Sequence, residues 1–275
     1  MDVNELGLQV DAVLPWFVAQ AHQHYVRVDV PPGYAAEWGE LLRDAVRRCY
    51  ATDGQIMARA HATQSTPEQI LAAKLPDPGS VRSGEFGEIL AYIYLASREG
   101  TNGAIGPKKW RLKQDRNKPA PYSDVVQFVV ADWSAPSTED RLVCAEVKAK
   151  STDSVFSPIT AALQGSELDQ TSRLARTLVW LRDRARGEDI GVVTIARLNR
   201  FINATEYPQY ATEHYAIAVV CSGLIEAELA AHPPGNLPHN CAVVVMSVPN
   251  LQHAYMTVYC SVQNSVVDWA PPLGV

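Results

Sequence analysis

Cysteine is sparse and scattered in this chain. The five residues Cys49, Cys144, Cys221, Cys241 and Cys260 form no CxxC pair and no Cys/His group at zinc spacing. A zinc-finger or thioredoxin-like reading is thereby excluded, and the cysteines inside apolar strand-like runs read as small buried hydrophobes. Long apolar runs are missing too. Ala216 to Cys221 and Cys241 to Val245 fall far short of the roughly 20 residues a membrane-spanning helix needs. The opening MDVNELGLQV carries acidic residues and no positive n-region, so a secretory signal is not expected and a cytoplasmic location is. There is no glycine-rich phosphate loop, and the seven histidines show no motif spacing, which leaves Ser/His/Asp catalysis without support. Excess positive charge is also lacking. Lys and Arg number 24 against 30 Asp and Glu, a formal net charge of -6. That counts against a protein that coats DNA with its whole surface, but it permits a local basic patch.

What is present is an ordinary globular composition, 47% hydrophobic and 20% charged over 275 residues. The length suits one large domain, or a core domain with a smaller appendage. Residues 1–79 read as an α+β module, expected to serve partner docking or inhibitory contacts. Short strands run from Trp16 to Val30, and a helix is expected from Ala36 to about Ala62. Lys74 to Ser80 has the composition of a linker, placing a boundary there and a second domain at 80–275. That domain opens with a helix from Ser83 to about Ser97, capped by Ser83 and ended by Gly100 and Gly103. Strands follow at Trp110–Leu112, Asp124–Ala131 and Leu142–Ala149. The polar stretch Ser134–Asp140 joins the last two as an antiparallel hairpin. Pro158 opens a long helix to about Arg186. Strands at Ile190–Leu198, Tyr215–Cys221 and Cys241–Val248, with helices at Leu224–Ala231 and Leu251–Val262, complete an α/β fold with a mixed sheet flanked by helices.

Glu146 and Lys148 are two apart on a strand, so they share one face. Leu142, Val143, Cys144 and Ala145 mark that strand as a core strand, where two charges on one face are expensive unless paired or metal-bound. Pairing through the Ser134–Asp140 turn brings Asp124 to the Lys148 end, where Asp124 and Glu146 can share a divalent cation. Mg²⁺ binds through one or two carboxylates plus substrate phosphate. Glu85 and Glu88, three apart on the first helix, lie on one face. One of them can complete a metal shell, or both can form a solvated acidic first turn. The run Lys108, Lys109, Arg111, Lys113, Arg116 and Lys118 places six basic residues among eleven. It suits a phosphate backbone, with Trp110 stacking or packing, or an ordinary solvated loop. Arg173, Arg176, Arg182, Arg184 and Arg186 on the long helix read as intrahelical pairs.

These residues resemble the PD-(D/E)xK nuclease superfamily. Tyr122-Ser123-Asp124 stands in place of the PD element, without its proline, and Glu146-Val147-Lys148 matches the (D/E)xK element. Ser83-Gly84-Glu85-Phe86-Gly87-Glu88 resembles the first helix with its acid, Glu88 being the better match. More specifically, residues 80–265 resemble HamA, the nuclease subunit of the bacterial Hachiman anti-phage system. That resemblance implies a restriction-endonuclease-like fold and a Mg²⁺-dependent DNA endonuclease, with Mn²⁺ able to substitute. Asp124, Glu146 and Glu88 would be the metal ligands and Lys148 the catalytic cation. It also implies a helicase-like HamB partner that holds the nuclease inactive until invading DNA is sensed. A stand-alone restriction or repair nuclease and an inactive DNA-binding scaffold are the rival readings.

Overall fold

The largely apolar segment Val125–Val129 and the segment Arg141–Lys150, apolar from Leu142 to Ala145, form two antiparallel strands, β4 and β5, with Val125 opposite Ala145 and Val129 opposite Arg141. They lie within a seven-stranded mixed sheet described by a computed structural model, which covers residues 5–99, 104–188, 190–203, 205–235 and 241–269. The remaining strands are β1 (Val18–Ala21), β2 (Val26–Asp29), β3 (Ala104–Ile105), β6 (Ala211–Cys221) and β7 (Cys241–Val248). Their order across the sheet is β1-β2-β7-β6-β5-β4-β3. The centre, β2-β7-β6-β5, is parallel and the two edges are antiparallel. Parallel strands covered on both faces read as continuous apolar runs, as β6 and β7 do.

The described helices of six or more residues are α1 (Pro32–Leu41), α2 (Arg43–Tyr50), α3 (Asp53–Thr63), α4 (Pro67–Ala72), α5 (Ser80–Arg98), α6 (Pro158–Leu168), α7 (Leu174–Arg184), α8 (Ile195–Ile202), α9 (Ile225–Ala231) and α10 (Leu251–Asn264). Helix α5 packs on one face of the sheet, in a core cluster that runs from Leu6 to Val266. Helices α7 and α8 cover the β4–β5 end of the opposite face, with Leu178, Leu181, Leu198 and Phe201 against Phe128 and Leu142.

Several expectations need correction. The helix expected from Ala36 to Ala62 is three helices, because Thr52 adopts an extended conformation and caps α3 in a reciprocal box with Gln55. Ser83 lies inside α5 rather than capping it. Gly79 precedes the helix at φ 151° and ψ -161°, a conformation open essentially to glycine. The proposed stop at Gly100 and Gly103 lies outside the described residues. Trp110–Leu112 belongs to a 3₁₀ turn, Lys109–Leu112, not to a strand. Ile190–Leu198 is not a strand either. Thr194 caps α8 by accepting from the Arg197 N–H, and Ile190, Val193, Leu198 and Phe201 bury together against α7. A short apolar run permits either state, and packing on the α7 face decides for the helix.

The sheet and the largest core also run straight across the boundary expected at residue 80. Strand β2 pairs in parallel with β7, Val26 opposite Val244, and Trp38, Tyr50 and Ile56 share one cluster with Phe86 and Tyr259. A two-stranded ribbon such as β1–β2 has little stability alone, and β7 supplies the rest of its sheet.

Candidate active site

Asp124 stands one residue ahead of β4, and the β4–β5 register brings it level with Glu146. Its Oδ2 accepts from the Val147 backbone N–H at 2.8 Å and from Lys148 Nζ at 3.3 Å. Lys148 Nζ also donates to Glu146 Oε1 at 2.5 Å. The three residues singled out on the hairpin therefore form one hydrogen-bonded cluster.

Glu146 is buried, and its second oxygen is held as well. Arg173 Nη1 donates to Oε2 at 3.0 Å. The sequence suggests intrahelical pairing for Arg173, and the structure assigns it Glu146 instead. The reason lies in the backbone. Between α6 and α7 the long helix widens into a π turn, Asp169–Arg173. That turn delivers both Arg173 and the buried Asp169 to the end of the hairpin. Ser123, next to Asp124, donates its hydroxyl to Asp169 Oδ1 at 2.8 Å. Opposite Glu146, Gly165 of α6 leaves room that a side chain would take. A Cβ there would lie 2.3 Å from Glu146 Oε1.

The acids crowd one another. Burial, and then the charge of Asp124, push Glu146 up to about 7. The same two causes hold Glu88 well above the usual carboxylate range. Burial favours a neutral Lys148, but Asp124 and Glu146 outweigh it, so its ammonium is held more firmly than in water. Lys109 is wholly buried beside this group, donating to the Ser123 carbonyl, and burial lowers its pKa against the opposing pull of Asp124 and Glu88.

The helix pair separates cleanly. Glu88 lines the same cleft as Asp124 and Lys148, and its Oε2 accepts from Trp110 Nε1 at 3.0 Å. Glu85 turns inward, accepting from the Tyr50 hydroxyl at 2.7 Å and from Lys113. It is a buried structural acid rather than a solvated first-turn residue.

The basic run does not form a DNA-facing strip. Lys108 reaches Glu5 at 3.0 Å and Arg111 reaches the same carboxylate at 2.8 Å. Lys108, Lys109 and Arg111 are buried, and so is the Lys113 side chain on Glu85. Lys118 is exposed and Arg116 half-buried, and they pair with Asp115 and Asp77 respectively. The 3₁₀ turn wraps the segment into the core, where partners replace solvent.

The cleft itself has a volume of about 880 Å³. Lys148, Arg173 and Arg176 supply cations, Tyr122 and Phe156 expose rings at its rim, and the first turn of α5 forms one wall. In the sequence Arg176 reads only as one of several helix arginines and the two rings carry no site signal, since only the fold brings them together.

A family model, HamA, matches residues 19–261. The chain belongs to the HamA family. HamA membership associates it with Hachiman defence. The match begins inside β1, so it takes in the N-terminal strands that share the sheet. No curated protein matches the chain. Among the described residues, no helix is long and apolar enough to cross a membrane.

The donor set of this HamA-family chain fits a hard cation in one specific way. Among the described residues, no three carboxylate, histidine or cysteine side chains converge as a ready-made cage. Asp124 and Glu88 line the cleft, Glu146 is buried and shares Lys148 with Asp124, and Asp124 raises the proton affinity of both Glu146 and Glu88. Such surplus negative charge suits Mg²⁺, which takes one or two carboxylates and fills its remaining positions with water and phosphate.

Proposed function

We propose that this chain is a Mg²⁺-dependent deoxyribonuclease, the effector of a Hachiman-type complex controlled by a helicase-like partner. The observation that carries the reading is the Asp124–Lys148–Glu146 cluster at the end of a core hairpin, with Asp124 and Lys148 facing the cleft.

Asp124 and Glu146 would hold Mg²⁺, with Mn²⁺ as a substitute and Glu88 nearby to orient a water. The bound cation supplies a water of lowered pKa and offsets charge on the attacked phosphate. Lys148, protonated between two carboxylates, positions the attacking water and stabilises negative charge developing on the phosphorus oxygens. Arg173 fixes the Glu146 carboxylate so that its oxygens point one way. Arg176 and the N–H groups at the start of α5 suit the flanking phosphates. With a net charge of -6 and the basic run turned inward, the chain has few cations to attract DNA by itself. Delivery by a DNA-bound partner meets that need.

Plasmid cleavage with Mg²⁺ tests the reading directly. Glu146→Gln and Lys148→Ala should each abolish cleavage while the melting temperature shows a folded protein. Unchanged cleavage in both variants would sink the assignment. Co-purification with a helicase separates the defence complex from a stand-alone nuclease.

A further inference from the structure

Asp124 stands one residue outside the β4–β5 ladder, so strand pairing does not fix its backbone. Its Oδ2 is engaged by the Val147 N–H and by Lys148, and among the described residues its Oδ1 has no hydrogen-bond partner. Where that second oxygen points depends on how the chain enters the strand. The entry is held at Ser123, which is wholly buried and bonded through its N–H, its hydroxyl and its carbonyl. The N–H donates to Thr177 Oγ1 at 3.1 Å. The hydroxyl donates to Asp169 Oδ1 at 2.8 Å, and the carbonyl accepts from Lys109 Nζ.

The three partners come from three elements, α7, the π turn and the 3₁₀ turn, and all three are buried. They are anchored in turn. Thr177 Oγ1 donates to the Arg173 carbonyl at 2.9 Å, and the Cys144 thiol of β5 hydrogen-bonds the Asp169 carboxylate. A proline ring would restrict this position by itself, whereas a serine does not, so the three bonds do the fixing. Just ahead, Tyr122 sits at φ 66°, a left-handed conformation that bulky side chains rarely adopt. Such strain persists only where neighbouring contacts over-determine the backbone. We propose that Ser123 is a positioning residue for the cation site, pinned by Thr177, Asp169 and Lys109 so that Asp124 presents its second oxygen to a divalent ion. The proposal rests on the nuclease reading above. The π turn then orients both carboxylates, Asp124 through Ser123 and Glu146 through Arg173.

Mn²⁺ binding to the full chain, read from the electron paramagnetic resonance of the free ion, tests this without a cleavage assay. Removing an outer partner of a metal ligand costs about 10- to 100-fold in affinity. Ser123→Ala deletes the hydroxyl. Thr177→Val deletes the acceptor of the Ser123 N–H and keeps the branched shape. Each should raise the Mn²⁺ Kd by about tenfold or more. Ser97 at the C-terminal end of α5 is the control, since its buried hydroxyl donates to the Tyr94 carbonyl at 2.8 Å. Ser97→Ala loses a comparable bond and should leave the Kd unchanged. If Ser123→Ala does not fold, Thr177→Val carries the test alone. Wild-type binding that both site variants retain, or an equal loss in Ser97→Ala, overturns the proposal and leaves the nuclease reading standing. A wild type that binds no Mn²⁺ overturns both.

Discussion

Arg173 lies 27 positions from Glu146 in sequence and 3.0 Å from it in space. With Lys148 on the other oxygen, it leaves Glu146 with both carboxylate atoms held by cations. The π turn makes this possible, because one extra residue per turn rotates the helix face that follows it. Removing a preorganised charged donor of this kind costs about 10²-fold in rate. Arg173→Ala should therefore lower Mg²⁺-dependent cleavage by roughly that factor, and Arg173→Lys should recover part of it, since lysine restores charge but not the fork. Single-turnover cleavage rates decide between these outcomes, and equal rates for wild type and Arg173→Ala refute the role.

Gly165 offers a sharper separation of folding from function. Alanine is about 1 kcal/mol better than glycine inside a helix. Here its Cβ would collide with the Glu146 side chain, at 2.4 Å from Cδ. Gly165→Ala should displace Glu146 and cut cleavage at least tenfold, with the melting temperature nearly unchanged. Melting and cleavage measured on the same preparation check this.

Glu88 makes stability depend on pH. Its ordinary value is 4.5, and burial followed by Asp124 holds it well above that in the folded chain. Below about pH 4.5 both folded and unfolded states carry the proton. As pH rises, the unfolded chain loses it first, so the folded state loses stability until its own carboxyl ionises. Glu88→Gln keeps the acceptor for Trp110 and removes that loss. The variant should melt close to wild type near pH 4.5 and several degrees above it near pH 8, at about 2–4 °C per kcal/mol. Calorimetry across this range reads the gap, and a gap that fails to widen contradicts the account.

A cation that relieves the Asp124–Glu146 crowding should stabilise the fold. Mg²⁺ or Mn²⁺ is expected to raise the wild-type melting temperature near pH 8, because it binds the folded state alone. The double variant Asp124→Asn, Glu146→Gln should show no such rise at matched ionic strength.

The basic run should behave as core rather than as a DNA contact. Lys108→Ala leaves Glu5 to Arg111 and opens a buried site, which should destabilise the fold by about 1–3 kcal/mol. Arg116→Ala with Lys118→Ala, on surface pairs, should change stability by less than about 1 kcal/mol. Urea unfolding of the two variants ranks them.

The sequence by itself determined the hairpin and the candidate residues it carries. Two largely apolar strand segments and a polar turn set β4 against β5, and charge on an apolar strand is expensive unless paired or metal-bound, so Asp124, Glu146 and Lys148 stood out there as candidates. It also determined most of the strands and the helical partners around them, because each is a local pattern. The tertiary structure alone decided what lies far apart in the chain. Glu88 and Glu85 look alike three residues apart on one helix, and only the neighbours of each, the cleft for one and Tyr50 with Lys113 for the other, separate them. Arg173 reads as one arginine among several until the π turn aims it at Glu146. The lysine run reads as a DNA strip until Glu5 and Glu85 draw it inside. The strands of residues 18–29 read as a separate module until β7 supplies their missing neighbour. In each case the deciding partner is remote in sequence, and a charged side chain carries no local mark of whether solvent or another chain segment will satisfy it.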